Sequence, residues 1–265
     1  MKAAWLQLLR ALVLVLVAAL ALQIFFLGRI ALMVVVDPQS TTFQRSEVWR
    51  LLTEKHQILW AQQWVNDPRI SANLKRAVIA SEDAGFADHS GVEWDALEKA
   101  WERNQKAEAR VEKINDQIDK RAQKALTTGK PVTAAKAPVR AQPKMVGGST
   151  ITQQLAKNLF LGSERSLLRK AQEFVVTFML EAVLSKQRIL EIYLNSVEWG
   201  EGVFGAEAAA RHYFHVGASS LGAMQAAQLA VMLPAPKRFE KRPGSAYVVG
   251  RAATVAARMG AVDLP

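Results

Sequence analysis

The longest apolar pattern comes first. Residues 11–27 are apolar except for Gln23, and after Gly28 and Arg29 the pattern resumes from Ile30 to Val36. About 20 such residues, rising about 1.5 Å each, cross a hydrocarbon layer as a helix. Residues 11–36 are therefore expected to form one transmembrane signal anchor. Lys2 and Arg10 precede it, which keeps residues 1–10 cytoplasmic and exports residues 37–265. A signal peptide cleaved after Ala19-Leu20-Ala21 is the competing reading. The apolar run continues past that cut, which favours the uncleaved anchor.

Beyond the anchor the periodicity is helical. Residues 37–45 read as a polar connector, and residues 47–59 mix apolar and polar positions at helical spacing. Asn66-Asp67-Pro68 marks a break, with Pro68 suited to a first helical turn. Ile70, Leu74, Val78 and Ile79 share one face of the next helix. Residues 167–184 carry Leu168, Val175, Phe178, Met179 and Leu180 at helical intervals, and Ser185 is a candidate cap for residues 186–194. Residues 206–214 resume helix after a glycine-rich turn. Residues 221–233 are rich in small side chains, with Pro234 and Pro236 as stops. Long β-branched alternation and Asn-Gly hairpins are missing. The predicted fold class is mainly α, with one transmembrane helix in front.

Charge modifies this outline in one place. Residues 99–145 hold twelve Lys/Arg against five Asp/Glu, about +7 of the chain's formal +10. The first half of that stretch reads as a charged, exposed helix. The second, with three prolines and no aromatics, is expected to be mobile. The basic insert at about 102–145 is either a loose linker or a flap against anionic lipid. The whole-chain charge favours anionic partners, and the anchor favours membrane phospholipid or a phosphorylated substrate over nucleic acid. The 265 residues include no cysteine, which excludes a thiol nucleophile and disulfides.

Two polar islands carry the candidate chemistry. In SEDAGFADHSG, residues 81–91, Glu82 and Asp83 are adjacent and point about 100° apart on a helix. A carboxylate beside Ile79 and Phe86 has a raised pKa and suits a general base. The same pair equally reads as a cap on a neighbouring helix, with His89 and Gly91 shaping a turn. In GGSTITQQLAKN, residues 147–158, the two glycines permit close backbone approach, and Ser149 and Thr152 offer N-caps. Gln154, Lys157 and Asn158 share a helix face. Arg169, Lys170 and, one turn on, Glu173 complete an array able to bind a pyrophosphate through charge-assisted hydrogen bonds. His212 and His215 read as surface or packing residues, and Glu191, Tyr193 and Asn195 as residues that hold helices together.

Five blocks in order carry a family resemblance: EDAGFADHSG at 82–91, GGSTITQQLAKNLFL at 147–161, RKAQE at 169–173, KQRILEIYLN at 186–195 and GEGVFGAEAAARHYF at 200–214. The chain resembles the lysozyme-like, membrane-anchored peptidoglycan glycosyltransferases in their monofunctional form. The resemblance spans about residues 74–236, interrupted by an insert longer than the family's usual connection. It implies polymerisation of lipid II into β-1,4 glycan strands at the outer face of the inner membrane, with inversion and release of undecaprenyl pyrophosphate. Glu82 matches the base that deprotonates the acceptor hydroxyl. Glu173 matches a second carboxylate on the donor phosphate side, acting there through a divalent cation, Mg or Mn; no organic cofactor is implied. Lys157, Arg169 and Lys170 match pyrophosphate-binding positions, and Asp83, Phe86, Thr150, Gln154 and Asn158 match supporting substrate-site positions. Implied partners are lipid II, the growing glycan chain, inner-membrane phospholipids and division or elongation proteins. A glycan-cleaving enzyme of related architecture and an inactive scaffold of the wall machinery are the alternatives. No Ser-x-x-Lys occurs, so nothing suggests an attached transpeptidase.

Overall fold

A computed structural model describes residues 2–127, 140–142, 147–162, 164 and 166–265. Most of the stretch expected to be mobile, residues 127–144, lies outside the described residues. Two compact units emerge, residues 1–92 with 150–265, and residues 93–149.

In the larger unit α1 (Lys2–Leu32) exposes its apolar side chains along most of its length. Among the described residues it is the one helix long and apolar enough to cross a membrane. Its outer end is buried against the rest of the unit through Phe26, Ile30 and Met33. The expected connector is shorter than the polar composition suggested. α2 (Thr42–Lys55) starts inside it, because Thr41 and Gln44 exchange capping hydrogen bonds at 2.8 and 3.1 Å.

α3 (Ala72–Glu82) starts at the Ser71 cap and buries Leu74, Ala77 and Val78. In the smaller unit, the charged stretch forms α4 (Trp94–Thr127), and Arg140 pairs with its Asp119 at 3.1 Å. Back in the larger unit follow α5 (Ile151–Phe160), α6 (Leu167–Val183), α7 (Lys186–Ser196) and α8 (Ala206–Phe214). Ser185 caps α7 as expected, accepting from the Arg188 amide at 3.2 Å. α9 (Ala223–Met232) carries the small residues. Pro236 then opens a short helix, α10 (Pro236–Phe239), instead of stopping one. The last helix, α11 (Ala246–Arg258), packs with α9 on α3.

A small sheet adds what the sequence pattern did not announce. β1 (Ala61–Gln62) runs parallel to β3 (Val203–Phe204), with Ala61 opposite Val203, and β2 (Glu198–Gly200) runs antiparallel to β3. Strands of two and three residues are too short to leave a period-2 signature.

α6 also departs from expectation. Its buried face is Glu173, Val176, Thr177 and Leu180, while Leu168 is 82 % exposed and Val175 and Phe178 face outward. The partner of α6 explains this. α6 lies against the membrane-crossing α1, and Gln172 exchanges two amide hydrogen bonds of 2.9 Å with Gln23. Gln23, the polar residue within the apolar run 11–27, thus meets a partner, as an amide in apolar surroundings requires.

Candidate active site

The site is organised by the N-terminus of α5. Thr150, not the expected Ser149 or Thr152, is its cap and forms a reciprocal capping box with Gln153. The Thr150 hydroxyl also donates to the Gly91 carbonyl at 2.6 Å. Asp83 adds a second tie, its Oδ2 accepting from the Ile151 amide at 2.9 Å. An anionic carboxylate at exposed first-turn amides is the favourable end of the helix dipole. The capping reading therefore holds for Asp83.

His89 completes this scaffold. Its Nε2 lies 2.7 Å from Asp83 Oδ1, while its Nδ1 accepts from the Gly91 amide at 3.1 Å. With Nδ1 accepting, Nε2 carries the proton and donates to Asp83. The loop is closed by Gly91 at φ +87°, where a Cβ would fall 2.7 Å from the Thr177 methyl carbon. The left-handed glycine of the site is thus Gly91, whereas Gly147 and Gly148 have ordinary negative φ. Phe86 is fully buried, with the Lys186 ammonium 4.5 Å from its ring centroid. Asp83, Phe86 and Thr150 thus form the wall behind the site: one side chain is sealed in the core, and the other two spend their oxygens on the fold.

Glu82, at the C-terminal end of α3, points the other way. Its Oε2 accepts from Gln154 Nε2 at 2.9 Å, and Gln154 Oε1 accepts from the fully buried Tyr193 hydroxyl at 2.9 Å. Among the described residues, Glu82 has no cation as a hydrogen-bond partner. Burial raises its pKa, the Gln154 hydrogen bond opposes that rise, and the neighbouring Asp83 charge adds to it. Tyr193, expected only to hold helices together, belongs to the site. Glu191 and Asn195 do hold the fold: Glu191 accepts from the Asp67 amide, and Asn195 bonds both the amide and the carbonyl of Val65.

One turn beyond Gln154, Lys157 opens the cationic end. Its side chain is exposed, yet the packed atoms around it lower its pKa, partly offset by Glu173 and reinforced by the like charges of Arg169 and Lys170. Lys157, Asn158 and Arg169 line a groove of about 280 Å³, closed on its other side by Phe43 and Ser46 of α2. Those two α2 residues escaped the sequence reading, since neither residue type nor spacing sets them apart. Glu173, only 3 % exposed, accepts from Arg169 at 3.0 Å and from Lys170 in a second, short contact. It thereby fixes two cations that would otherwise repel each other and Lys157. Arg169 keeps a buried Nε–H without a partner.

α5 therefore links the two ends of the site: its Gln154 bonds Glu82 of α3, and its Lys157, one turn on, lines a groove with Arg169 of the Arg169–Lys170–Glu173 group on α6. His212 packs edge-on against Tyr213, and His215 is the left-handed residue ending α8. Among the described residues, no cluster of three His, Asp or Glu is placed to hold a metal ion.

A helical unit with an apolar anchor, a cation-free carboxylate and a neighbouring cationic groove is the framework of a membrane-anchored transferase. A family model described as Transglycosylase matches residues 52–121 and 119–260, and the chain belongs to that family. It is 48 % identical over 250 residues to the biosynthetic peptidoglycan transglycosylase of Paraburkholderia phytofirmans, covering 94 % of this chain and 90 % of that one. It is 50 % identical over 248 residues to the proteins of the same name from Burkholderia orbicola and Burkholderia lata, covering 94 % of this chain and 87 % of each.

Proposed function

We propose that this peptidoglycan glycosyltransferase polymerises lipid II, with Glu82 as base and the Lys157–Arg169–Lys170 group as the diphosphate site. The observation that carries the reading is the division of charge along α5: one carboxylate bonded to a neutral amide, and a groove one turn away lined by cations. A raised pKa makes a carboxylate a better base toward an alcohol. Glu82 takes the proton of the acceptor sugar 4-hydroxyl as that oxygen attacks the anomeric carbon of the donor. The bond from that carbon to the pyrophosphate oxygen breaks on the opposite face, so an α-linked donor gives a β-linked product. The proton remains on Glu82 until solvent removes it.

The leaving group gathers negative charge, and preorganised cations are the large contribution to stabilising it. Arg169 and Lys170 are held in place by Glu173 before any substrate arrives. The Lys157 pKa is lowered by burial first and by the like charges of Arg169 and Lys170 after it, and a bound diphosphate supplies a counter-charge that opposes both. Glu173 serves as the tether of these cations. Both of its oxygens are engaged by them, and the donor set does not fit a protein-held Mg or Mn. No step here is routed through one.

The anchor places the groove beside a lipid-borne donor, which raises effective concentration without further contacts. Lys2 and Arg10 support a cytoplasmic N-terminus and a periplasmic catalytic unit. The test is incubation of the full chain with lipid II in detergent or vesicles: glycan polymer and undecaprenyl pyrophosphate are expected in equal turnover. Release of fragments from finished sacculi without polymerisation would replace this reading with a glycan-cleaving one.

A further inference from the structure

We infer that Tyr193 is a positioning residue for the reaction: its buried hydroxyl fixes the Gln154 amide in the one orientation that donates to Glu82. The inference rests on the reading of Glu82 as the base, and adds to it a residue that touches no substrate.

The argument begins with the ambiguity of a glutamine side chain. An amide has a donating and an accepting end of nearly equal size, and a half-turn exchanges them. With the carbonyl toward Glu82, two acceptors would face each other and the carboxylate would lose the Gln154 donor. Gln154 is placed between a carboxylate, which only accepts, and a buried phenol, whose one proton needs an acceptor. Tyr193 Oη lies 2.9 Å from its Oε1, and Glu82 Oε2 lies 2.9 Å from its Nε2. A carboxylate can only accept, so Nε2 must face it, and Oε1 then requires a donor. A phenol has one O–H, and within the interior of this protein Gln154 is the partner the hydroxyl of Tyr193 is bonded to. Were Tyr193 ionised, it would become an acceptor and undo the arrangement. Burial prevents this, holding the phenol pKa well above its ordinary value, with the Glu82 and Asp83 charges acting in the same direction.

The consequence is a set point for the base. Three elements present groups to Glu82: the adjacent Asp83 at the end of α3, Gln154 on α5, and Tyr193 through Gln154 on α7. Lys157 follows Gln154 by one turn. Burial and Asp83 push the carboxyl up, and the Gln154 donor holds it down. Tyr193 keeps that restraint aligned against the rise. The placement of Tyr193 is fixed by α7, which is buried from Ile189 to Ser196.

The experiment is the pH dependence of kcat/KM for lipid II polymerisation by the full chain, as wild type, Tyr193→Phe, Gln154→Leu and the double variant. A lost hydrogen bond of about 1 kcal/mol corresponds to about 0.7 pH unit. The acid limb is expected to move upward by about half to one unit in each single variant, which is a loss of about three- to tenfold below the limb. The double variant is expected to match Gln154→Leu, since both substitutions break one path. A uniform loss at every pH with an unmoved limb, or an additive double variant, overturns the assignment. In wild type, where folding is not in question, the sheltered Tyr193 hydroxyl proton and the Gln154 amide protons should shift by NMR with one midpoint, that of Glu82. Absence of a common midpoint also overturns it. Turnover by Glu82→Gln would instead remove the base itself, whatever the Tyr193 variants show.

Discussion

Glu82, bonded to Gln154 of α5, and Glu173, bonded to Arg169 and Lys170 of its own helix α6, keep opposite company. Glu82 is half-buried, with an amide donor and a like charge beside it. Glu173 is more deeply buried, and each of its oxygens meets a cation. A carboxylate left without a cation retains its appetite for a proton, whereas one shared by Arg169 and Lys170 has its electrons committed. The pair shows how one fold gives two glutamates opposite electrostatic surroundings, which is the basis of the different roles proposed for them.

Substitutions can break that contrast, beginning with the largest effect. Glu82→Gln keeps the shape and removes the base; kcat is expected to fall by about 10²–10⁴-fold, with donor binding by fluorescence or calorimetry preserved. Lys157→Ala or Arg169→Ala should cost about 10²–10³ in turnover, the scale of one preorganised contact to a developing anion. Glu173→Gln should cost less, about tenfold, chiefly in KM, because the cations remain but lose their tether. Equal losses in kcat for Glu82→Gln and Glu173→Gln would erase the distinction between the two roles.

Two smaller effects sharpen it. Since Glu82 titrates above an ordinary glutamate, wild-type kcat/KM should fall on acidification while the pH is still above the usual carboxylate range. Away from the site, Glu198 is 5 % exposed, with a pKa raised to about 7 by burial, the Lys237 charge opposing. Between the ordinary value of 4.5 and about 7 the folded chain holds a proton that the unfolded chain has released. Stability therefore declines as pH rises through that window and stays reduced above it. Glu198→Gln should raise Tm by about 2–4 °C at pH 8, for about 1 kcal/mol, and hardly at all at pH 5. An equal gain at both pH values would contradict a buried-charge origin.

Much of this arrangement was legible in residue order. The anchor, the helix opening at Ser185, the last residue of α8 and the two chemical islands follow from the sequence, whereas α3 opens at Ser71 and not at Pro68, which lies in a separate short turn. What was hidden depends on neighbours distant in sequence. Asp83 reads as a site carboxylate until the Ile151 amide, 68 positions on, claims it. The outward apolar face of α6 cannot be told from a core face without knowing that it lies beside α1. Tyr193 looks like any buried aromatic until its hydroxyl is traced to Gln154. Phe43 and Ser46 reach the groove only because α2 begins earlier than composition suggests.

The glutamine pair joining α1 to α6 has a consequence for orientation. In a solvent of lipid tails two amides cannot exchange their mutual bonds for water, so spinning the anchor about its own axis would strand four polar atoms in oil. α1 is thereby keyed to the catalytic unit like a shaft in a slot. Which way the groove looks along the bilayer surface is then settled when the chain folds and cannot drift as the enzyme diffuses.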